Sequence, residues 1–281
     1  MTVTNPLEGR VESMSDSDFK ASVSEIRSGI IGGRFMQCVL SKSISLPVME
    51  APFKSYSRLR DINPSPYCFF FNFGGGEFLY GSSPEIHAVV ENGKMVVRPL
   101  AGTQPRTGNP LNDAKLRREF LKDKKERSEH LMLVDLSRSE VYRLCEPRSV
   151  SVTDTLTIEE YPNLYHLASG VEGTLKPEFD SIDVLLTTLP AGTLSGSPKK
   201  EAMRAIEELE PDRRGYYGGA IGYLGFDGDC NTGITIRSVH VVDGRSTVQA
   251  GAGIVLDSNP ENELDEINLK LSKPLKNLER K

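Results

Sequence analysis

The sequence predicts an α+β protein in which antiparallel sheets are covered by helices. Strand-like segments with alternating apolar residues are joined by tight turns, and Asn92-Gly93 and Asp243-Gly244 are the hairpin signals among them. Helical segments lie between these hairpins at irregular intervals, without a regular strand–helix–strand repeat. No change in composition marks a linker, so we expect a polar segment over residues 1–14 and a single domain over residues 15–281.

The first half of the chain is expected to form a helix, a strand, a second helix and then a run of antiparallel strands. The first helix carries apolar residues at helical spacing and ends at two glycines. The sequence NPSP stops the second helix. The helices are predicted at 15–31 and 51–62, and the strands at 35–42, 67–73, 77–83 and 85–99.

The second half of the chain is expected to contain further helices between strands. A long helical region follows the loop LAGTQPRTGNP, and the last helix begins after the sequence DSNP. A helical region is predicted at 112–144, helices are predicted at 181–189, at 199–210 and after residue 260, and strands near 149–154, 163–175, 216–226, 233–242 and 246–256.

Composition places the chain among ordinary soluble globular proteins. Hydrophobic residues make up 38% and charged residues 26% of the chain, and the formal charge of −5 is spread without a basic stripe. Tryptophan is absent, and no aromatic cluster adjoins lysine or arginine, so nucleic acid is not an expected partner. The amino terminus does not resemble a signal peptide, and no run approaches the roughly 20 apolar residues of a membrane span. We therefore expect no membrane association and a cytoplasmic location.

The cysteines are expected to be reduced thiols. Cys38, Cys68, Cys145 and Cys230 are far apart in the sequence and form no CxxC pair. Neither a zinc site nor a disulfide framework is indicated by this spacing.

Three glycine-containing segments indicate an anion site. The segments 99–103 and 190–193 each place a small residue, Gly and Thr where a β segment leads into a helical region, and 251–253 reads Gly-Ala-Gly. Such turns expose backbone N–H groups and a hydroxyl, which suits a carboxylate or a phosphate. A single Gly-Thr pair is common in ordinary loops, so the repetition carries the argument. No GxxxxGK or GxGxxG pattern accompanies the three segments, which disfavours a nucleotide.

Two carboxylates, Glu126 and Glu129, stand near the start of a helix within the helical region predicted at 112–144. Asp123 can cap this helix, with Glu126 at the third position of a capping box, so a solvated first turn explains Glu126 equally well. Glu129 lies a turn further in, beside His130 and an apolar run, where an unpaired carboxylate is unfavourable. Glu129 therefore needs a cation or a proton from a substrate.

The last predicted helix carries a second pair of carboxylates. Glu263 and Glu266 again lie three residues apart, and Lys270 follows one turn later on the same face. If the two helices face one another, four carboxylates surround a hard cation, for which Mg²⁺ is suited by its preference for oxygen ligands. Surface glutamate pairs are abundant, so ordinary solvated acids are the alternative.

Several runs of residues together resemble the chorismate-utilising enzymes, most closely the anthranilate synthase component I family. The runs are RPLAGTQPR, KERSEHLMLVDLSR, YHLASGVEG, PAGTLSGSPKKEAM, RRGYYGGAIGY, ITIRS and QAGAGIVLDSNPENELDEINLK, and the resemblance covers roughly residues 15 to 275. The resemblance implies a four-layer α/β/β/α fold of packed antiparallel sheets. It also implies a chorismate-binding catalytic domain that uses Mg²⁺.

The resemblance implies a role for each matching site residue. Glu129 and Glu266 would bind the metal directly, and Glu126 and Glu263 would act through water. Glu85 would be the general acid, for which a pocket of low polarity favours the protonated form. His166, near the leaving group, Gln37 and Lys270 would be catalytic residues together with Glu85. The remaining implied residues bind the substrate: Arg237, Tyr217, Gly102, Thr103, Thr193, Gly251, Ala252 and Gly253. Alone, His166 would more often be a core histidine, and Lys270 would only neutralise its acidic neighbours.

Two positions separate the reactions of this family. Relatives that add water carry a lysine base where this chain has Gln37, whose neutral amide cannot take a proton from water. Relatives that make aminodeoxychorismate carry a nucleophilic lysine where this chain has Ala101, which forms no adduct. The resemblance therefore implies that chorismate and ammonia give anthranilate and pyruvate, the first step of tryptophan biosynthesis.

The expected partners follow from the same resemblance. Ammonia would come from a glutamine amidotransferase subunit, anthranilate synthase component II. The alternatives are another chorismate enzyme, which forms aminodeoxyisochorismate, isochorismate or aminodeoxychorismate, and a truncated, weakly active paralogue that acts as a binding module.

The chain also departs from the family pattern at several points. Ser139, Glu140 and Ser197 replace usual residues, and the amino-terminal part of the usual enzyme is expected to be absent. Sheet surface left uncovered would lower stability or be hidden in a homo-oligomer.

Overall fold

The computed structural model describes residues 9–161 and 164–279, which form two compact units. Unit one consists of Met1–Pro84, Leu194–Ile221 and Ile234–Lys281. Unit two consists of Glu85–Thr193 and Gly222–Gly233. The predicted domain over residues 15–281 includes parts of both units, and its unity stays a prediction.

The described helices follow the local signals of the sequence. Side chains cap the amino ends of most of them, and Ser15, Asp123 and Asn259 each accept a hydrogen bond from a backbone N–H of the first turn. No helix of residues 9–161 and 164–279 is long and apolar enough to cross a membrane. The helices are α1 (Asp16–Ile31), α2 (Pro52–Ile62), α3 (Pro110–Phe120), α4 (Lys124–Leu144), α5 (Ser181–Thr188), α6 (Lys199–Leu209) and α7 (Pro260–Leu278).

The strands of both sheets form antiparallel pairs, from β1 with β2 to β8 with β9. The strands are β1 (Val11–Glu12), β2 (Gln37–Pro47), β3 (Tyr67–Gly74), β4 (Glu77–Ser83), β5 (Ile86–Glu91), β6 (Lys94–Val97), β7 (Leu100–Pro105), β8 (Ser151–Glu160), β9 (Leu164–Thr174), β10 (Gly196–Ser197), β11 (Ala220–Leu224), β12 (Cys230–Ile234), β13 (Ser238–Val242) and β14 (Arg245–Ile254).

The sheet of unit one has the order β1-β2-β14-β13-β4-β3, and β10 pairs with β2. Its longest pairing joins β2 to β14, with Gly251 opposite Ser41. Alternate side chains of these strands, such as Leu40 and Val248, enter a core shared with α1 and α7. The other face of β14 carries Gln249, Gly251 and Gly253, whose short or polar side chains leave the backbone accessible to a ligand.

The sheet of unit two has the order β11-β12-β5-β6-β9-β7, and β8 pairs with β9. The helix α4 packs on this sheet through buried Val141 and Leu144, which meet Met95 and Val171 in one apolar cluster. The carboxylates that precede this apolar half of α4 are thereby held at the β7 end of the sheet.

The predicted α+β class with antiparallel sheets is confirmed, and one predicted strand is corrected. The helical region expected at 112–144 consists of two helices, and the cap expected at Asp123 is confirmed, because Asp123 has extended backbone and its side chain caps α4. The single strand expected at 233–242 ends at Ile234 and resumes at Ser238, since Arg237 takes a left-handed φ of 52° that interrupts the pairing.

Candidate active site

In unit one, the backbone of β14 at Gly251 lies under the hydroxyl of Tyr217. A Cβ atom added at Gly251 would lie 2.9 Å from Tyr217 Oη and 3.0 Å from Val39 Cγ1. Only glycine therefore lets Tyr217 come this close to the strand. Two residues that the sequence assigns to substrate binding are brought together here.

Lys270 joins the carboxyl-terminal helix to the same strand. Its Nζ donates hydrogen bonds to the carbonyl oxygen of Gly251 at 2.8 Å and to Oε1 of Glu266 at 2.6 Å. Glu266 and Lys270 lie four residues apart on α7, so helical spacing sets the pair and β14 supplies the third group. Ala252 points its side chain into the core, which leaves only its backbone for a ligand.

Arg214 supports this region, and the sequence analysis did not identify it. Its Nε donates to Glu210 Oε2 at 2.8 Å, and its Nη2 donates to the carbonyl oxygen of Val39, also at 2.8 Å. Burial acts to lower the pKa of Arg214, but the hydrogen bond and charge of Glu210 outweigh burial and hold the pKa above its usual value. Arg214 Cζ lies 5.8 Å from the centre of the Tyr217 ring, so this ion pair fixes one side of Tyr217. The only sequence signal was the Arg-Arg pair before Tyr216-Tyr217.

A cavity of about 380 Å³ opens beside Tyr217 within unit one. Hydroxyl and amide groups of β2 and β14 form part of its wall, so the cavity offers hydrogen-bonding groups beside apolar surface. Its lining includes Ser43, Ser45, Arg214, Tyr217, Thr247 and Gln249.

Gln37 and Arg237 are also placed by unit one. Gln37 is only 3% exposed and pairs with Ser197 of β10. The carbonyl oxygen of Arg237 accepts a hydrogen bond from the backbone N–H of Ser82 at 3.2 Å. This bond holds the irregular turn between β12 and β13 against β4. The sheet therefore sets the direction in which the Arg237 side chain leaves the backbone.

In unit two, Gly102 brings β7 against the first turn of α4. Gly102 has a φ of 63°, and a Cβ atom there would overlap the carboxylate of Glu126 and lie 2.9 Å from Phe120 Cζ. His166 Nδ1 lies 2.7 Å from the carbonyl oxygen of Gly102. Because a carbonyl can only accept, Nδ1 carries the hydrogen. Three predicted site residues, Gly102, Glu126 and His166, are therefore neighbours.

Tyr161 lies beside His166, and the sequence analysis did not identify it. The two rings meet edge to face, with centroids 5.5 Å apart. Burial, the charge and hydrogen bond of Glu159, and the charge of Glu85 together raise the pKa of Tyr161. Glu85 is itself buried, with 7% of its surface exposed. A tyrosine five residues before a histidine carries no spacing signal, so the sequence could not have indicated the contact.

The loop before α6 presents Thr193 next to α4. A Cβ atom at Gly192 would overlap the side chain of Leu136, which shows how closely the loop approaches the helix. Thr193 Oγ1 is buried and has no hydrogen-bond partner among the described residues, so it can donate to a ligand. Thr103 belongs to β7, but the prediction for its side chain lies outside the described part of the structure.

Each unit contains one of the predicted pairs of metal-binding carboxylates. Glu126 and Glu129 occupy the first two turns of α4, and Glu263 and Glu266 those of α7, where Glu263 is buried. Among residues 9–161 and 164–279, no three His, Cys, Asp or Glu side chains form a group that could hold a metal ion. The donor chemistry suits Mg²⁺, since all four are carboxylates, and the four-carboxylate site stays a prediction.

The two antiparallel sheets and the site residues described above define a class of protein. The sequence profile of the chorismate binding enzymes matches residues 2–276, and the chain belongs to that family. Among named proteins, the chain is similar to anthranilate synthase component 1 of Pseudomonas aeruginosa, with 46% identity over 254 residues, which are 90% of this chain and 51% of that protein. The resemblance to this family seen in the sequence is confirmed.

Solved structures agree with this assignment. The crystal structure of anthranilate synthase component I from Streptococcus pneumoniae is 42% identical, with a TM-score of 0.88 over 94% of this chain and 59% of that one. MenF, the menaquinone-specific isochorismate synthase from Escherichia coli, also has a TM-score of 0.88, over 96% of this chain and 62% of that one, but is only 22% identical and shows the fold alone. The chain spans about half the length of the curated relatives it matches.

Proposed function

We propose that this chain converts chorismate and ammonia to anthranilate and pyruvate in an Mg²⁺-dependent reaction, as the chorismate-binding part of an anthranilate synthase. The observation that carries the proposal is the grouping of Tyr217, Gly251 and Lys270 on one face of the unit-one sheet. Identity of 42–46% to proteins named anthranilate synthase supports the choice of reaction. The cytoplasmic location predicted from the sequence belongs to the same proposal, and free thiols are consistent with a reducing compartment.

Chorismate carries two carboxylates, so the chain must supply cationic and donor groups. The Tyr217 hydroxyl can donate to one carboxylate, and the guanidinium of Arg237 can offer its paired donors in a planar fork. Lys270 holds the carbonyl oxygen of Gly251, which orients the neighbouring N–H groups of β14. Thr193 contributes a hydroxyl whose hydrogen is not engaged by the described residues.

Proton transfer is assigned to Glu85 and His166. A ring hydroxyl must leave chorismate as water, and the buried Glu85 would donate the proton that makes it a leaving group. His166, with its hydrogen on Nδ1, would present Nε2 as the nitrogen able to exchange a proton.

The metal site is part of the proposal. Glu129 and Glu266 would bind Mg²⁺ directly, and Glu126 and Glu263 through water. The bound ion would neutralise the ring carboxylate of chorismate and draw electron density from the ring. Because Gly102 has no side chain, the Glu126 carboxylate can lie next to β7, as the proposed metal site requires.

The choice of nucleophile rests on Gln37 and Ala101. Gln37 is buried and neutral, and Ala101 on β7 has no reactive group, so neither activates water nor forms a covalent adduct. Ammonia needs no strong base. A glutamine amidotransferase subunit is the proposed source, since named component 1 proteins imply a second component.

The test is product chromatography after incubation with chorismate, Mg²⁺ and ammonium. Anthranilate supports the proposal, isochorismate would select the water-adding alternative, and unchanged chorismate would select a binding module. Arg237→Lys should raise KM for chorismate by about tenfold or more, because lysine lacks the planar fork. Arg34→Lys is the matched control, since the planar fork of Arg34 bonds Glu208 outside the proposed site.

A lysine at position 37 gives a second check on the nucleophile. Gln37→Lys should not make the chain an efficient isochorismate synthase, because a base must reach water in a productive geometry as well as be basic. Rapid isochorismate formation by this variant would contradict the assignment.

A further inference from the structure

The tautomer of His166 is set by the backbone of Gly102. The 2.7 Å contact from Nδ1 to the Gly102 carbonyl oxygen places the ring hydrogen on Nδ1. In the neutral ring the lone pair then resides on Nε2. A hydrogen bond through one atom permits the ring to rotate about that contact, and a second contact restricts this rotation.

Tyr161 supplies that second contact. The edge-to-face geometry, with an interplanar angle of 75°, is a preferred arrangement of aromatic rings. The phenol is itself anchored, because its Oη donates to Glu159 Oε2 at 2.9 Å. Tyr161 thus cannot turn away from His166 without breaking this bond.

Glu159 is held in turn by Arg98. Arg98 Nε donates to Glu159 Oε1 at 2.6 Å, and Arg98 Nη1 donates to Asp154 Oδ2 at 3.0 Å. Burial acts to lower the pKa of Arg98, but its bonds to the two carboxylates outweigh burial and raise the pKa. A permanently charged arginine therefore fixes the acceptor that anchors Tyr161.

We propose that Tyr161, anchored through Glu159 and Arg98, is a positioning residue that holds the His166 ring in one orientation, with Nδ1 bonded to Gly102 and Nε2 as the nitrogen that exchanges a proton. This inference rests on the proposed function for its kinetic consequence, but the ring orientation can be measured without it. Tyr161 acts through His166 and is not proposed to contact the substrate.

The direct test is the nitrogen NMR spectrum of the four histidines in ¹⁵N-labelled protein. His166→Gln identifies the His166 signals. We expect the wild type to show the Nδ1–H tautomer at this residue, and Tyr161→Leu, which removes the ring, to show averaged or mixed tautomer signals. Tyr165→Phe is the matched control for Tyr161→Phe, since Tyr165 lies on β9 next to His166 and its hydroxyl bonds Glu160 at 3.4 Å.

Kinetics supply the second readout. Tyr161→Phe should lower kcat by about fivefold and Tyr161→Leu by about 10²-fold, the loss expected when a reacting group is misplaced, with KM for chorismate unchanged. Tyr165→Phe should leave kcat unchanged. Circular dichroism and Tm establish that each variant is folded.

The outcomes separate the two proposals. Unaltered His166 signals in folded Tyr161→Leu, or equal kcat losses in Tyr161→Phe and Tyr165→Phe, would overturn the positioning role. If wild-type protein makes no anthranilate but its His166 tautomer depends on Tyr161, the proposed function fails while the positioning role stands.

Discussion

The ammonium group of Lys270 bridges Glu266 and the backbone of Gly251, at 2.6 Å and 2.8 Å. The contact ties α7 to β14 at the point where the hydroxyl of Tyr217 approaches the strand. The Lys270 ammonium group therefore contacts both Glu266, a predicted metal ligand, and β14, the strand predicted to bind the substrate.

Removal of that cation should affect substrate binding more than metal binding. Lys270→Met should raise KM for chorismate by about tenfold, since the Gly251 carbonyl loses a charged hydrogen bond and the strand loses its orientation. The Mg²⁺ concentration for half-maximal activity should not rise, because Glu266 is released from its competitor. Lys276→Met, near the end of the same helix, is the control. A higher Mg²⁺ requirement with unchanged KM would contradict this reading of Lys270.

Gly102 should tolerate no side chain. In Gly102→Ala the methyl group would overlap the Glu126 carboxylate, and the positive φ adds roughly 1–2 kcal/mol of backbone strain. Gly93→Ala is the matched control, because Gly93 has a φ of 73° with no atom near a Cβ position. Both variants should lose stability in thermal unfolding, but only Gly102→Ala should need more Mg²⁺ for activity. Equal Mg²⁺ requirements would argue against a metal-linked role for Glu126.

His130 should make stability depend on pH. Its side chain is fully buried, and burial lowers its pKa from 6.5 to about 4. Between these values the unfolded chain binds a proton that the folded chain does not, so stability is complete above pH 6.5 and falls as the pH falls toward 4. The total loss from this residue is up to about 3 kcal/mol, since each pKa unit corresponds to about 1.4 kcal/mol.

The measurement is the free energy of urea unfolding across that pH range. His130→Gln should flatten the slope. Ser169→Ala removes the hydroxyl bonded to His130 Nε2 but keeps the imidazole, so it should lower stability with little change in slope. An unchanged slope in His130→Gln would show that other groups carry the pH dependence.

One thiol should react in the folded protein. Cys68 is exposed, whereas Cys38, Cys145 and Cys230 are buried. Burial raises the pKa of Cys38 to about 12 and that of Cys145 to about 11, which keeps both as unreactive thiols at neutral pH. Titration with a thiol reagent should give one rapid equivalent, lost in Cys68→Ser and retained in Cys230→Ser. If several thiols react rapidly in native buffer, the apolar cores that contain the three buried cysteines open readily.

Much of the fold was readable from local sequence. The turn at Asn92-Gly93 has φ values of 51° and 73°, which these two residue types adopt readily, so the hairpin was predictable from two letters. Ser15 caps α1 where the pattern places the helix start. The start of α4 was also predictable, because Asp123 is a typical capping residue and accepts hydrogen bonds from the backbone N–H groups of Lys125 and Glu126.

The candidate site was likewise predictable from the sequence only in part. Helical spacing alone placed Glu126 with Glu129 and Glu263 with Glu266, because residues three apart share a helix face. The partners that orient the site were decided by tertiary structure: Lys270 reaches Gly251 across 19 residues, and Arg214 reaches Val39 across 175. Tyr161 meets His166 only because β8 and β9 pair in one register. Local periodicity records which face a side chain occupies, whereas the atom it meets depends on how strands and helices from distant parts of the chain pack together.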